Sequence, residues 1–385
     1  MKKIILFLLV LHCAGVSYVS GNTFLPGDMQ VVQPSDDIRI MFENEQYNEI
    51  INRFSGKPRT LSANELTYVA MSYFHIEDLE NATIFAEMAK KKDSKHAPAY
   101  YVESMINSVI GDYSQALKNM QAAISLSPDE AGYRVAVGDI YYTQEKFDQA
   151  LENYQNAVSM AVPAEKGYYM IGASYASMDK IKEALEAFYT AKSKIVKDKE
   201  LYVTVLYNIG NLEYNDGNYS KAQDAYKELT EYFPDDYYSY EKLVQCSNAL
   251  GDNANAKVYK ERMYDAHSSG LLATTSLSDM FCIDNFMVGA KSVSAYERYE
   301  EPTGNPLVKN IFYVSDSAGN IESTVFLEYI PSDTDKAKGK YHTVVTKDSV
   351  RYSGGISADS YIGYEILKPY IIEIVKGDTR LTPID

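Results

Sequence analysis

Histidines, thiols and paired carboxylates are the groups from which an active site would be built, and this sequence supplies few of them in useful patterns. From residue 279 onward the sequence has one histidine, His342, and one cysteine, Cys282. No Gly-x-Ser-x-Gly elbow, phosphate-binding loop or His-Glu-x-x-His pair accompanies them, so nucleophilic, phosphoryl-transfer and zinc-hydrolase chemistry lack their residues. Carboxylates such as Glu297, Glu300 and Glu301 have the right chemistry to pair as acid and base. A charge run on a strand edge is ordinarily solvated, however, and an enzyme would need such a pair in a deep pocket between domains. The expectation is no catalytic residue, no metal and no cofactor.

The sequence is richer in contact chemistry. It has 35 tyrosines and no tryptophan, which supplies large amphipathic side chains, most of them expected in the core or on helix surfaces. A formal net charge of −16 disfavours nucleic acid, because phosphate binding needs a positive footprint. The run Lys90-Lys91-Lys92 with Lys95 closes a helix, where cations complement the helix dipole.

The elements that position these side chains follow from one repeated unit. In Ala97 to Glu130 a helical pattern runs to a Gly111-Asp112-Tyr113 turn, and a second, through Ala116, Met120, Ala123 and Leu126, stops at Pro128. The twentieth position of the unit reads Ala82, Ala116, Ala150, Ala184, Ala222 and Ala256, spaced by 34 residues apart from a four-residue insertion near Lys199 to Tyr202. The eighth is small in most copies (Ala70, Ser104, Gly138, Gly172, Gly210), and the seventeenth is large (Leu79, Tyr113, Phe147, Ile181, Tyr219). Small residues let the two helices approach, and large ones fill the space between neighbours. A weaker half-match at Gln46-Tyr47, Ile50 and Phe54 reads as a degenerate capping unit.

This multi-position pattern, from Ala63 to about Asp265, resembles the tetratricopeptide repeat family. The resemblance implies a right-handed superhelix of helical hairpins whose first helices line a groove through unit positions two, five, nine, twelve and thirteen. Carried over copy by copy, it puts Tyr101, Met105, Asp139, Tyr142, Tyr169, Tyr207, Asn211, Tyr214, Asn215, Gln245 and Asn248 in that groove. Rings and amides suit an extended peptide or a partner helix. The family's carboxylate clamp needs cations that the fifth positions lack, since they read Thr67, Tyr101, Val135, Tyr169, Tyr207 and Glu241.

Lys2 and Lys3, the apolar run Ile4 to Leu11, and small residues up to Gly21 form a secretory leader pattern. Cys13 would tether the chain to a membrane if lipidated, although bacterial lipoproteins want a small residue where His12 stands. Export permits a disulfide between Cys246 and Cys282, while their apolar contexts equally suit two buried thiols.

After Asp265 the register ends. Strands are expected at Val293 to Glu297, Asn310 to Ser315, Ile321 to Ile330, Tyr341 to Thr346, Tyr361 to Leu367 and Tyr370 to Lys376. That suggests a small antiparallel sandwich or barrel. The expected organisation is therefore a multidomain α plus β chain. It comprises a leader (1–21), an extended segment (22–35), a helical-hairpin solenoid (36–265, units 63–96, 97–130, 131–164, 165–198, 203–236 and 237–265), a linker (266–278) and a β-sandwich-like domain (279–385). The expected function is a non-catalytic scaffold, exported to the periplasm, outer membrane or cell surface or secreted, that binds a protein or peptide in the groove. The alternative is a glycan-binding β domain using Tyr296, Tyr299, Tyr313, Tyr329, Tyr352 and Tyr361, with the repeats as spacer.

Overall fold

The computed structural model describes residues 36–299, 309–331 and 339–384. The leader, Cys13, the 22–35 segment, Glu300 and Glu301 lie outside the described residues. The chain divides into two compact units, one running through Asn208 and the other starting at Ile209.

The first unit opens with the short helices α1 (Asp36–Glu43) and α2 (Tyr47–Phe54). Their Ile38, Met41, Phe42 and Ile50 join one buried cluster with Leu66, Tyr68 and Phe74, as a capping unit should. Four hairpins follow: α3 (Ala63–His75) with α4 (Leu79–Lys92), α5 (Ala97–Val109) with α6 (Tyr113–Leu126), α7 (Ala131–Thr143) with α8 (Phe147–Val158), and α9 (Glu165–Ser177) with α10 (Ile181–Lys194). Their starts are set by local chemistry. Ser62 and Glu65 form a reciprocal capping box on α3, and the Asp78 and Asp112 side chains cap α4 and α6. Between the helices of each hairpin one residue takes the left-handed conformation, at Glu77, Gly111, Glu145 and Asp179 in turn, so the turn geometry persists where glycine does not.

The four-residue insertion becomes an extra turn at the start of α11 (Lys199–Asn215), which leaves the register intact because four residues are about one helical turn. Glu165 fastens the preceding loop, its carboxylate accepting from the backbone N–H groups of Val196, Lys197 and Asp198 at 3.1–3.2 Å.

Packing explains the small positions. Ala82, Ala116, Ala150 and Ala184 are fully buried. A Cβ on Gly138 would stand 2.4 Å from the Tyr154 ring, and one on Gly172 would stand 2.6 Å from Phe188. The second helix thus sets an aromatic ring against a bare stretch of the first.

The second unit contains the end of α11, then α12 (Tyr219–Tyr232), α13 (Tyr237–Leu250), α14 (Asn253–Ser268), seven strands and one more helix. The strands are β1 (Met280–Val288), β2 (Lys291–Arg298), β3 (Asn310–Ser315), β4 (Ile321–Pro331), β5 (Gly339–Lys347), β6 (Val350–Ala358) and β7 (Thr382–Ile384), paired antiparallel in chain order. The second layer expected of a sandwich is helical instead. Strands β1, β3 and β6 pack against α15 (Tyr364–Lys376), and α13 lies along β1.

Two expected strands, Tyr361 to Leu367 and Tyr370 to Lys376, are thereby corrected to helix. The reason is spacing: Tyr364, Leu367, Ile371 and Ile374 are the buried residues of α15, three or four apart, and the β-branched content of Ile-Ile-Glu-Ile-Val yields to that stripe. Gly377, at φ +84°, closes the helix.

Residues 266–278, read from sequence as a linker, contribute Leu272 and Leu277 to the core. These join Tyr237, Val244 and Met263 from α13 and α14 with Phe281, Phe312, Val325, Leu327 and Val345 from the sheet. The last helical hairpin and the sheet therefore share one apolar core.

Candidate interaction site

In the first unit the expected groove residues separate into core and surface. Tyr142 and Tyr169 are buried: Tyr142 Oη lies 2.6 Å from Ser177 Oγ, and the Tyr169 ring packs 5.8 Å from Phe188. Tyr101 and Met105 are half-buried, and Tyr207 is exposed. Tyr101 stacks obliquely on Tyr133 at 5.7 Å, and burial pushes its hydroxyl up to about 12, with Lys166 opposing and Asp139 and Glu130 adding to the shift. Asp139 is held on both oxygens, accepting from Tyr154 Oη and from Lys166 Nζ at 2.8 Å each. Lys166, the cation at groove position two, is therefore neutralised where an anion clamp would need it free.

In the second unit Asn211 is half-buried, Tyr214 half-buried and Asn215 exposed, whereas Gln245 and Asn248 are buried. Their surroundings give the fullest account of what such positions do. β1 is an edge strand of the sheet, and its outer side is held by three side chains of α13. Glu241 accepts from the Cys282 N–H at 2.7 Å, Gln245 Nε2 donates to the Cys282 carbonyl at 3.2 Å, and Asn248 Nδ2 donates to the Ile283 carbonyl at 2.8 Å. These are unit positions five, nine and twelve. An extended segment is thus read through its main chain by groove-position side chains, and the segment is the protein's own. Unpaired strand edges otherwise recruit other strands, so the helix also protects this one.

Tyr214 closes the same region. Its ring lies 5.5 Å from Lys242 Nζ, and burial followed by Asp284 and Cys282 raises its hydroxyl well above the ordinary tyrosine range. Cys246 and Cys282 are free, buried thiols, pushed up to about 12 and well above their usual range by burial.

The other chemistry-bearing residues are structural ties. A register shift after Cys282 turns Asp284 onto the helix-covered face, where it accepts from Tyr364 Oη and from Lys368 Nζ at 2.7 Å. Glu297 accepts from Lys260 Nζ at 3.0 Å, Tyr264 Oη at 2.9 Å and Asn310 Nδ2 at 3.3 Å, so both its oxygens are engaged. The six tyrosines considered for sugar stacking do not form a platform. Tyr299 is buried between His267 and Phe281, Tyr352 and Tyr361 pack on the core, and the Tyr296–Tyr313 and Tyr329–Tyr341 pairs meet at 83° and 64°.

Two residues outside the expected set control it. Tyr154 and Tyr226, at unit position twenty-four, bond to position nine: Tyr154 Oη to Asp139 Oδ1 at 2.8 Å, Tyr226 Oη to Asn211 Oδ1 at 2.9 Å. Where position twenty-four is Phe188, position nine is Ala173. The sequence carried this signal as a match of polar with polar and apolar with apolar.

Comparison with known proteins agrees with the family resemblance. Residues 110–165 and 207–267 match the family model described as tetratricopeptide repeat. The hairpins within those two stretches match as tetratricopeptide repeats. Among solved structures, that of PilF from Pseudomonas aeruginosa is 15% identical, covering 59% of this chain and 96% of its own, with a TM-score of 0.43. PilW, titled a type IV pilus biogenesis factor, is 16% identical over 56% of this chain and 96% of its own, TM-score 0.44. YrrB, titled a tetratricopeptide repeat protein with an unusual peptide-binding site, is 20% identical over 50% and 95%, TM-score 0.34. No curated protein sequence matches the chain. The family match stops at residue 267, before the first strand, so the sheet carries no assignment of its own. Among the described residues no helix is long and apolar enough to cross a membrane.

Proposed function

We propose that the chain is an exported, non-catalytic scaffold whose tetratricopeptide repeats bind a polypeptide, with the sheet as a second contact surface. The observation that carries this reading is the seat of β1. Glu241, Gln245 and Asn248 hold main-chain N–H and C=O groups, the chemistry an incoming polypeptide would meet on neighbouring repeats. An anionic chain end is disfavoured as partner, because the fifth groove positions carry no cation and Lys166 at position two is paired with Asp139. Export rests on the leader at residues 1–21, and the working site would be the periplasm, the outer membrane or the cell surface, or the medium.

Site-specific photo-crosslinking tests this. A crosslinker at Met105, on the groove face of α5, should capture a discrete envelope protein, and one at the exposed Lys118 of α6 should not. Equal capture from both positions, or none from Met105, would contradict the reading.

A further inference from the structure

A second kind of contact is written in charge rather than in rings and amides, on an edge of the first unit away from the candidate groove residues. We propose that Lys57, Arg59, Lys91, Lys92 and Lys95 dock the chain on an anionic phospholipid surface, with the end of the first hairpin turned to the headgroups.

The five cations come from two parts of the chain. Lys91 and Lys92 end α4 and Lys95 lies in the loop behind it, while Lys57 and Arg59 flank Pro58 on the turn between α2 and α3. Lys92 joins the two parts, its Nζ donating to the Arg59 carbonyl at 3.2 Å. The turn itself is closed by Thr60, whose N–H and hydroxyl both bond to the Lys57 carbonyl, at 3.1 and 2.9 Å. All five residues are exposed. Lys90, next in the same run, is committed to Glu103 at 2.7 Å, and Lys91 has a 3.9 Å contact with the exposed Glu87. Among the described residues Lys57, Arg59, Lys92 and Lys95 are in no ion pair. The carboxylate of Asp93 lies in the same loop, with Oδ1 turned to the Lys95 N–H at 2.9 Å. The helix dipole accounts for cations at 90–92 and not for Lys57, Arg59 or Lys95, which lie outside the helix. At the corresponding place after α10 the charges alternate instead, with Lys197 and Lys199 set among Glu165, Asp198 and Glu200.

The partner follows from the make-up of the edge. Residues 55–60 read Ser-Gly-Lys-Pro-Arg-Thr and residues 91–95 read Lys-Lys-Asp-Ser-Lys. Neither stretch contains the aromatic or large aliphatic side chain that centres a protein–protein contact, nor the ring that stacks on a base. Four of the five cations are lysines, compact point charges on flexible stems. A layer of headgroup phosphates meets each of them separately, whereas a single anion is best held by a bidentate guanidinium fork. In a chain of net charge −16 an anionic layer repels the molecule as a whole and attracts this edge, so the contact also selects the orientation.

The test mixes the chain from Asn22 onward with vesicles of phosphatidylcholine, alone or with phosphatidylglycerol, and measures the vesicle-bound fraction by sedimentation. Binding is expected with phosphatidylglycerol only, and it should fall as ionic strength rises. Each of Lys57→Gln, Arg59→Gln and Lys95→Gln should weaken it about fivefold, the equivalent of about 1 kcal/mol per cation at an anionic surface. Lys57→Glu/Arg59→Glu/Lys95→Glu should abolish it with the melting temperature unchanged. Lys118→Glu/Lys146→Glu/Lys182→Glu alters the net charge equally at exposed lysines elsewhere in the first unit and should leave binding nearly intact. Equal loss in the two triple variants would overturn this edge as the site. Equal binding to phosphatidylcholine alone, or none to phosphatidylglycerol, would overturn the anionic surface as partner. Displacement from the vesicles by inorganic phosphate at the concentration of the lipid phosphate would assign the edge to a single anion and overturn the lipid layer.

Discussion

Replacing Asp284 by alanine is expected to destabilise the second unit by about 3–5 kcal/mol, the cost of stranding the partners of a buried ion pair. The Asp284 side chain is 1% exposed, and it is the acceptor for both Lys368 Nζ and Tyr364 Oη, two residues one turn apart on α15. Removing it takes the acceptor from the partly exposed Lys368 ammonium and the buried Tyr364 phenol, which pack on Phe286 and Phe312. The triple variant Asp284→Leu/Tyr364→Phe/Lys368→Met should recover most of the loss, because an apolar cluster of similar volume needs no hydrogen bonds. Denaturant unfolding of the full chain, followed by hydrogen exchange in β1 and α15, separates this unit from the first. A loss below about 1 kcal/mol for Asp284→Ala, the range of an exposed pair, would show that solvent reaches the site.

Substitution of Gly172 is expected to act against helix propensity. Alanine at an exposed helical glycine gains about 1 kcal/mol. Here the added Cβ would stand 2.6–2.9 Å from three ring atoms of Phe188, which is fully buried and has no room to retreat. Gly172→Ala should therefore lower the melting temperature of the first unit. Gly172→Val, larger and β-branched, should cost about 3 kcal/mol, the upper part of the usual overpacking range. Adding Phe188→Leu to Gly172→Ala should restore part of the loss. A gain in stability from Gly172→Ala alone would mean that the helices separate readily and that the ring is not wedged between them.

These two sites differ in how far the sequence announced them. Gly172 stood out because its position is small in copy after copy, and the periodic alanines fixed the hairpin register from Ala82 to Ala256. Such local, repeated contacts are legible because one physical requirement is written several times. Asp284 was not legible: its partners are 80 and 84 residues away, on a helix whose β-branched residues resembled strands. The candidate groove was intermediate. The amides of Gln245 and Asn248 were recognisable as main-chain readers, but no local pattern indicates that the strand they read begins at Met280 of the same chain. Tyr142 and Tyr169 occupy groove positions by count and core positions in fact, because the space over each is decided by a neighbour, Phe147 for one and Phe188 for the other. Polar pairing of position nine with position twenty-four was present in the sequence, at Asp139 with Tyr154 and Asn211 with Tyr226. It becomes visible only when the two helices are placed side by side.

The central claim is that groove-position side chains of a tetratricopeptide repeat hold an extended main chain. Hydrogen exchange across Met280 to Asn285, compared between the full chain and its Glu241→Ala/Gln245→Ala/Asn248→Ala variant, tests it most directly. The expected result is exchange about tenfold faster or more over that segment, with the helices of the first unit unchanged. Unaltered protection of Met280 to Asn285 in the triple variant would contradict the claim, since β1 would then be held by its pairing with β2 alone.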